Sequence, residues 1–267
     1  MISYWRILTL SFLVTLLVFF WDLPLLIPFK VFVIFLHEIS HALGALITGG
    51  QVSEIAISWD ESGFTKTTGG NFLAIASAGY LGSILWGSML LWSSLKKKYI
   101  KTATGITGIF FLFFTAGYPG GFETYMYFLG LAWAFIFLAC SFFFQKVNRL
   151  LLFFMGGLSS LYAVYDLGDF FRGDVIKTDA GIIAKHYFND TSIVLPVAYF
   201  IGIFLSALSL WIFIKLVYNA IYINEADEDD FIEEAPHENE IFDQIDPQTL
   251  ELLKLLQLKQ KAEADKL

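Results

Sequence analysis

The sequence predicts an all-α polytopic membrane protein of about seven transmembrane helices, with one small β-hairpin after the second. Three observations predict it. Hydrophobic residues make up 57% of the 267-residue chain and charged residues 16%, against about 45–50% and 25% in soluble domains. The apolar residues gather into runs near the roughly 20 residues that cross a bilayer as a helix. A short segment of strand-like alternation lies between the second and third runs. This composition excludes a soluble Rossmann or barrel enzyme, a collagen-like chain and simple disorder. One cysteine, Cys140, excludes a disulfide framework and a Cys-rich zinc module.

The seven runs are 4–22, 28–47, 71–95, 102–118, 122–145, 149–168 and 193–217. The first lacks the small-residue exit of a signal peptide and passes at once into more apolar sequence, so it reads as a span. The fourth opens with Thr102, Thr104, Gly105, Thr107 and Gly108, small and hydroxyl residues of the kind that let membrane helices pack closely. Between the second and third spans, Ser53 to Trp59 alternates, with Ile55, Ile57 and Trp59 on one face. Asp60-Glu61-Ser62-Gly63 supplies a turn and Phe64 to Thr68 is β-prone, which together predict a hairpin. The Trp and Tyr residues at span ends, such as Tyr99, Trp211 and Tyr218, read as interfacial anchors.

The chain divides by charge into a membrane domain, 1–222, and an acidic tail, 223–267. Residues 225–246 carry eleven acids and no Lys or Arg, a composition that stays solvated. Asp246-Pro247 then starts a short leucine-bearing helix, a possible surface for a partner. In a seven-span arrangement Lys30, Lys96, Lys97, Lys98, Lys101, Lys146, Arg149 and Lys215 share one side. Arg6, Lys66, Arg172, Lys177 and Lys185 share the other. The richer side is the cytoplasmic one, which predicts an outside N-terminus and a cytoplasmic tail. No basic block points to nucleic acid; the partner that composition implies is the lipid bilayer.

The second span contains His37-Glu38-Ile39-Ser40-His41, an H-E-x-x-H motif on a predicted helix. Two histidines four apart share one helix face, so both imidazoles can reach one ion. Zinc accepts imidazole nitrogen and keeps a position open for water. Glu38, rotated about 100° from His37, can reach that water as general base. Ionisable groups in an apolar helix are expensive and point to function. A catalytic zinc needs a further protein ligand. Asp166, at the end of the sixth span, is the reading taken; that end and the later part of the second span face the same side. Asp169, one helical turn on, and Asp179 and His186, in the polar stretch that follows, are the alternatives.

These residues carry a resemblance. His37 to Ala45, then Thr48-Gly49-Gly50, then Ser77-Ala78-Gly79-Tyr80-Leu81-Gly82 resemble the site-2 protease family of intramembrane zinc metalloproteases, nearest to its short branch without a PDZ domain. The resemblance covers 28–170. It implies an H-E-x-x-H helix, a membrane-associated β-hairpin, a helix opening with a small-residue A-G motif, and a late helix that donates an Asp, matched here to Asp166. Thr178-Asp179-Ala180 resembles a polar motif that follows the late helix in the short branch. The resemblance implies Zn2+ held by His37, His41 and Asp166, with Glu38 as catalytic base in hydrolysis of a membrane-associated protein or peptide substrate. The chain departs from the family at Tyr165-Asp166-Leu167-Gly168, where L-D-G is usual, and at Tyr80, where Pro is common.

Two other readings fit part of the pattern. A transporter would use the intramembrane ionisable cluster as a path, but there is no internal repeat and no second polar span. A non-catalytic scaffold would use the tail and its helix, and has no need of His37, Glu38 and His41 together. Metal-dependent proteolysis without vectorial uptake separates the first from a protease, and metal content separates the second.

Overall fold

Among the described residues, apolar runs bounded by Pro, Gly and capping residues become seven α-helices, with a two-stranded antiparallel sheet after the first. The computed structural model describes Phe12 and residues 23–58, 62–120, 125–171 and 175–222. Side chains at 125–126, 145–146, 163–171 and 220–222 are not among those described. The helices are α1 (Ile27–Ile47), α2 (Phe72–Ser94), α3 (Lys97–Gly117), α4 (Tyr125–Phe143), α5 (Gln145–Phe171), α6 (Asp179–Tyr187) and α7 (Thr191–Tyr222). Strands β1 (Gln51–Ile57) and β2 (Gly63–Thr68) lie between α1 and α2. All belong to one unit, Ile2–Tyr222. The predicted first span, apart from Phe12, lies outside the described residues, as do the acidic tail and the short helix expected after it.

Among the described residues, four helical segments are long and apolar enough to cross a membrane: Pro24–Ile47, Phe72–Ser94, Lys97–Gly117 and Thr191–Asn219, with a shorter apolar helix at Tyr127–Phe143. The protein is an integral membrane protein by these spans, and predicted spans two to seven each fall on a helix. The spans differ in depth within the bundle. The apolar window of Pro24–Ile47 is 78% buried and that of Thr191–Asn219 is 33% buried, so α1 is the central helix and α7 keeps a broad lipid-facing surface.

Two kinds of contact hold α1. On one side stand aromatic rings: Phe32 lies 4.8 Å from Phe111 and 5.3 Å from Phe137, both stacked, and 5.2 Å from Trp133. Trp133 Nε1 donates to the Pro28 carbonyl at 2.8 Å. On the other side α2 presents small residues. A Cβ at Gly44 would meet Ala78, and one at Gly82 would collide with Ser40, so the backbones approach closely, as membrane helices do where side chains are minimal. The same device joins α2 to α5, where Gly87 and Gly156 each face the other helix's backbone. A groove of about 530 Å³ runs between α1 and α2, lined by Ser40, Gly44, Ala78, Gly82 and Leu85 among others.

The intervals left between the predicted spans, 96–101 and 146–148, are shorter still in the structure. Only Leu95 and Lys96 separate α2 from α3, and only Phe144 separates α4 from α5. Lys97, Lys98 and Lys101 stand in the first turns of α3, where long stems carry the ammonium to water. Lys30, counted with the loop cations above, is buried in the first turn of α1.

Helix α1 ends in a Schellman turn. Gly50 N donates to the Ala45 carbonyl and Gly49 N to that of Leu46, with Gly49 at φ 83°, a conformation glycine adopts without strain. Asn71 caps α2 by accepting from Ala74 N at 3.0 Å. The hairpin pairs Gln51 with Thr68 through Ile57 with Gly63, with an irregularity between Val52 and Glu54. The expected alternation fails at Ile55, Ala56 and Ile57, all buried. The reason is cover on two sides. Strand β1 packs on α1, while Ile55 N donates to the Tyr118 carbonyl and Gly120 lies against Ala56. Trp59, Asp60 and Glu61 lie outside the described residues.

Candidate metal centre

Helix α1 carries His37, Glu38 and His41 through the middle of the bundle, at 8%, 5% and 8% exposure. Four residues make slightly more than one turn, and the two imidazoles meet: His37 Nε2 lies 3.1 Å from His41 Nε2. Helix α6 supplies the third group. Thr178 caps it by accepting from Gly181 N at 3.2 Å, which sets Asp179 in the first helical position. Asp179 Oδ2 lies 3.0 Å from His37 Nε2 and 3.1 Å from His41 Nε2. These are the ligand atoms that converge among the described residues.

The far nitrogens decide what the near ones offer. His41 Nδ1 is 2.6 Å from the Ile75 carbonyl, which can only accept, so Nδ1 carries the proton. In a neutral imidazole Nε2 is then an acceptor. His37 Nδ1 is 3.3 Å from Ser83 Oγ, a partner that allows the same tautomer. With both imidazoles neutral in that tautomer, two nitrogen lone pairs and a carboxylate oxygen point at one place. A cation resolves that convergence. Bonds of about 2.0–2.2 Å to a tetrahedral zinc hold ligand atoms about 3.3 Å apart, close to the observed triangle, so the donor set fits a small divalent ion. Space is reserved as well. A Cβ at Gly79 would stand 2.5 Å from His41 Nε2 and closer still to His37 Nε2; with only hydrogen there, the face over both nitrogens stays open.

Burial alone would raise the Asp179 carboxyl. His41 and His37 beside it outweigh that and hold it well below the usual carboxylate range. Glu38 lies within electrostatic reach of both imidazoles and of Asp179, and its Oε2 accepts from Thr65 Oγ1 at 2.7 Å. Tyr80 and Tyr162 face the His37 ring edge-on at 5.8 and 5.5 Å.

Of the third-ligand candidates read from the sequence, Asp179 joins the two histidines. Asp166 and Asp169 lie on α5, and their side chains are outside those described. His186, at the far end of α6, stacks on Phe72 at 3.9 Å between centroids, away from the cluster. The sequence reading takes the stretch as a polar loop, whereas Asp179 begins a helix. The signal for that helix is Thr178-Asp179-Ala180-Gly181, a cap followed by a first-turn acid. Thr65 and Ser83 were missed, because a lone hydroxyl carries no pattern.

No curated protein and no solved structure matches the chain. One family model does, over residues 10–216, a stretch that holds both histidines, Glu38 and Asp179. By that match, the chain belongs to the Peptidase M50B-like family, within the site-2 proteases that its motifs resemble.

Proposed function

We propose that this protein is an intramembrane zinc metalloprotease that hydrolyses peptide bonds of membrane-associated substrates. His37, His41 and Asp179 hold the ion and Glu38 is the base. The observation that carries the reading is the convergence of His37 Nε2, His41 Nε2 and Asp179 Oδ2 within 3.1 Å of one another, beside a buried glutamate, in a chain of a peptidase family. Zinc, when bound, polarises a scissile carbonyl and lowers the pKa of water at its open position.

The chain's own residues supply the rest. Ile75 and Ser83 orient the imidazoles, as outer partners of metal-bound histidines do. Glu38 Oε1, the oxygen not bonded to Thr65, takes a proton from the attacking water and returns it to the leaving amine. A helical substrate has its carbonyls already hydrogen-bonded and must arrive extended. Among the described residues β2 pairs with β1 alone, and its outer edge suits an added strand. Glu38→Ala is the test: it should keep its zinc and lose cleavage by at least about 10²-fold. Cleavage at the wild-type rate would remove Glu38 from the reaction.

A further inference from the structure

The hairpin touches the proposed base directly. Thr65 stands in the middle of β2 on the half-buried face, with Oγ1 at 2.7 Å from Glu38 Oε2 and 3.0 Å from the Glu38 carbonyl oxygen. One hydroxyl has one proton to give, and the shorter contact, to a carboxylate, is the stronger. Gly63 lies two residues earlier and so on the same face of the strand. A Cβ there would stand 2.5 Å from Glu38 Oε1. Strand β2 thus meets the carboxylate at both oxygens, with a donor at one and bare backbone at the other. Glutamate has three rotatable side-chain bonds, and a misplacement of about 1 Å at a reacting group can cost about 10²-fold.

We propose that Thr65 is a positioning residue for Glu38. It ties down Oε2, leaves Oε1 as the oxygen that moves the proton, and makes the aim of the base depend on β2 lying against α1. A peptide added to the outer edge of β2 would then be held by the strand that aims the base. This rests on the metalloprotease reading above.

The test uses the full chain in detergent, loaded with zinc, with fluorophore-labelled β-casein as the probe. Thr65→Val removes the donor and keeps the shape. The expected result is a fall in kcat of about 10–100-fold, with KM and zinc per chain unchanged, and recovery of most of kcat in Thr65→Ser. An unchanged kcat in Thr65→Val overturns the proposal. So does a loss confined to KM or zinc content, which would make Thr65 merely structural. A second measurement needs no cleavage: the unfolding midpoints of Thr65→Val, Glu38→Ala and the double variant. The double shift should be smaller than the sum of the single shifts, and strict additivity overturns the tie. A zinc-loaded wild type as inactive as Glu38→Ala, with non-additive midpoints, would remove the hydrolytic reading and the positioning role together, leaving a structural contact.

Discussion

At the residue scale, each imidazole has a partner at its far nitrogen. The Ile75 carbonyl fixes His41, and Ser83 Oγ is the partner of His37 Nδ1. Ser83→Ala should lower zinc affinity about 10–100-fold, read by competition with a calibrated chelator, with the fold intact by circular dichroism. Gly79→Val should abolish binding, because its side chain would occupy the face over both Nε2 atoms. Proton competition at the site has a direction. Asp179 is held below the usual carboxylate range, so it stays ionised and able to ligate until strong acid. Zinc release on acidification should therefore follow proton uptake by the imidazoles, which must be neutral to ligate, and a titration of bound zinc against pH checks it. His37, Glu38 and His41 were legible in the sequence because their relation is local, one turn of one helix. Asp179 lies 142 positions from His37, and its place at the site depends on how α6 folds back, which no spacing records.

At the scale of elements, α6 is short and its first residue is the proposed third ligand. Nine residues are too few to be stable as an isolated helix, so the Thr178 cap and the packing of Ala180 and Ala184 against Tyr80, Val194 and Ala198 hold it. Thr178→Ala should cost about 1 kcal/mol of helix stability. If that loss is felt at the site, zinc affinity falls about fivefold, measured by the same chelator competition; no change would mean that packing alone positions Asp179. The hairpin was legible because its turn and β-prone runs are local. The burial of Ile55, Ala56 and Ile57 was not, since it comes from α1 and the Tyr118–Gly120 segment, both distant in sequence. The helical character of the lysine-bearing stretch at Lys97–Lys101 was hidden for a different reason. Charge density marks the membrane boundary, and a helix can run straight through that boundary.

At the scale of the molecule, the arrangement turns on unequal sides of α1. Rings from α3 and α4 fill one side, and small residues of α2 let the site helix and its neighbour close on the other. The crossing of α2 and α5 at Gly87 and Gly156 continues that pattern outward. Gly87→Leu should separate those helices and lower the thermal midpoint in detergent, since its side chain would meet the Ser160 backbone. The spans at 28–47, 71–95 and 193–217 were legible from length and apolarity, which a bilayer demands of any helix. Their order of burial was not, because membrane helices are apolar on lipid-facing and protein-facing sides alike.

The central claim is an ion held by His37, His41 and Asp179, and metal content by mass spectrometry on the purified full-length protein tests it most directly. The expected result is about one zinc per chain in wild type, in Asp166→Ala and in Asp169→Ala, and none in Asp179→Ala or His41→Ala. Zinc retained in Asp179→Ala and lost in Asp166→Ala would contradict it.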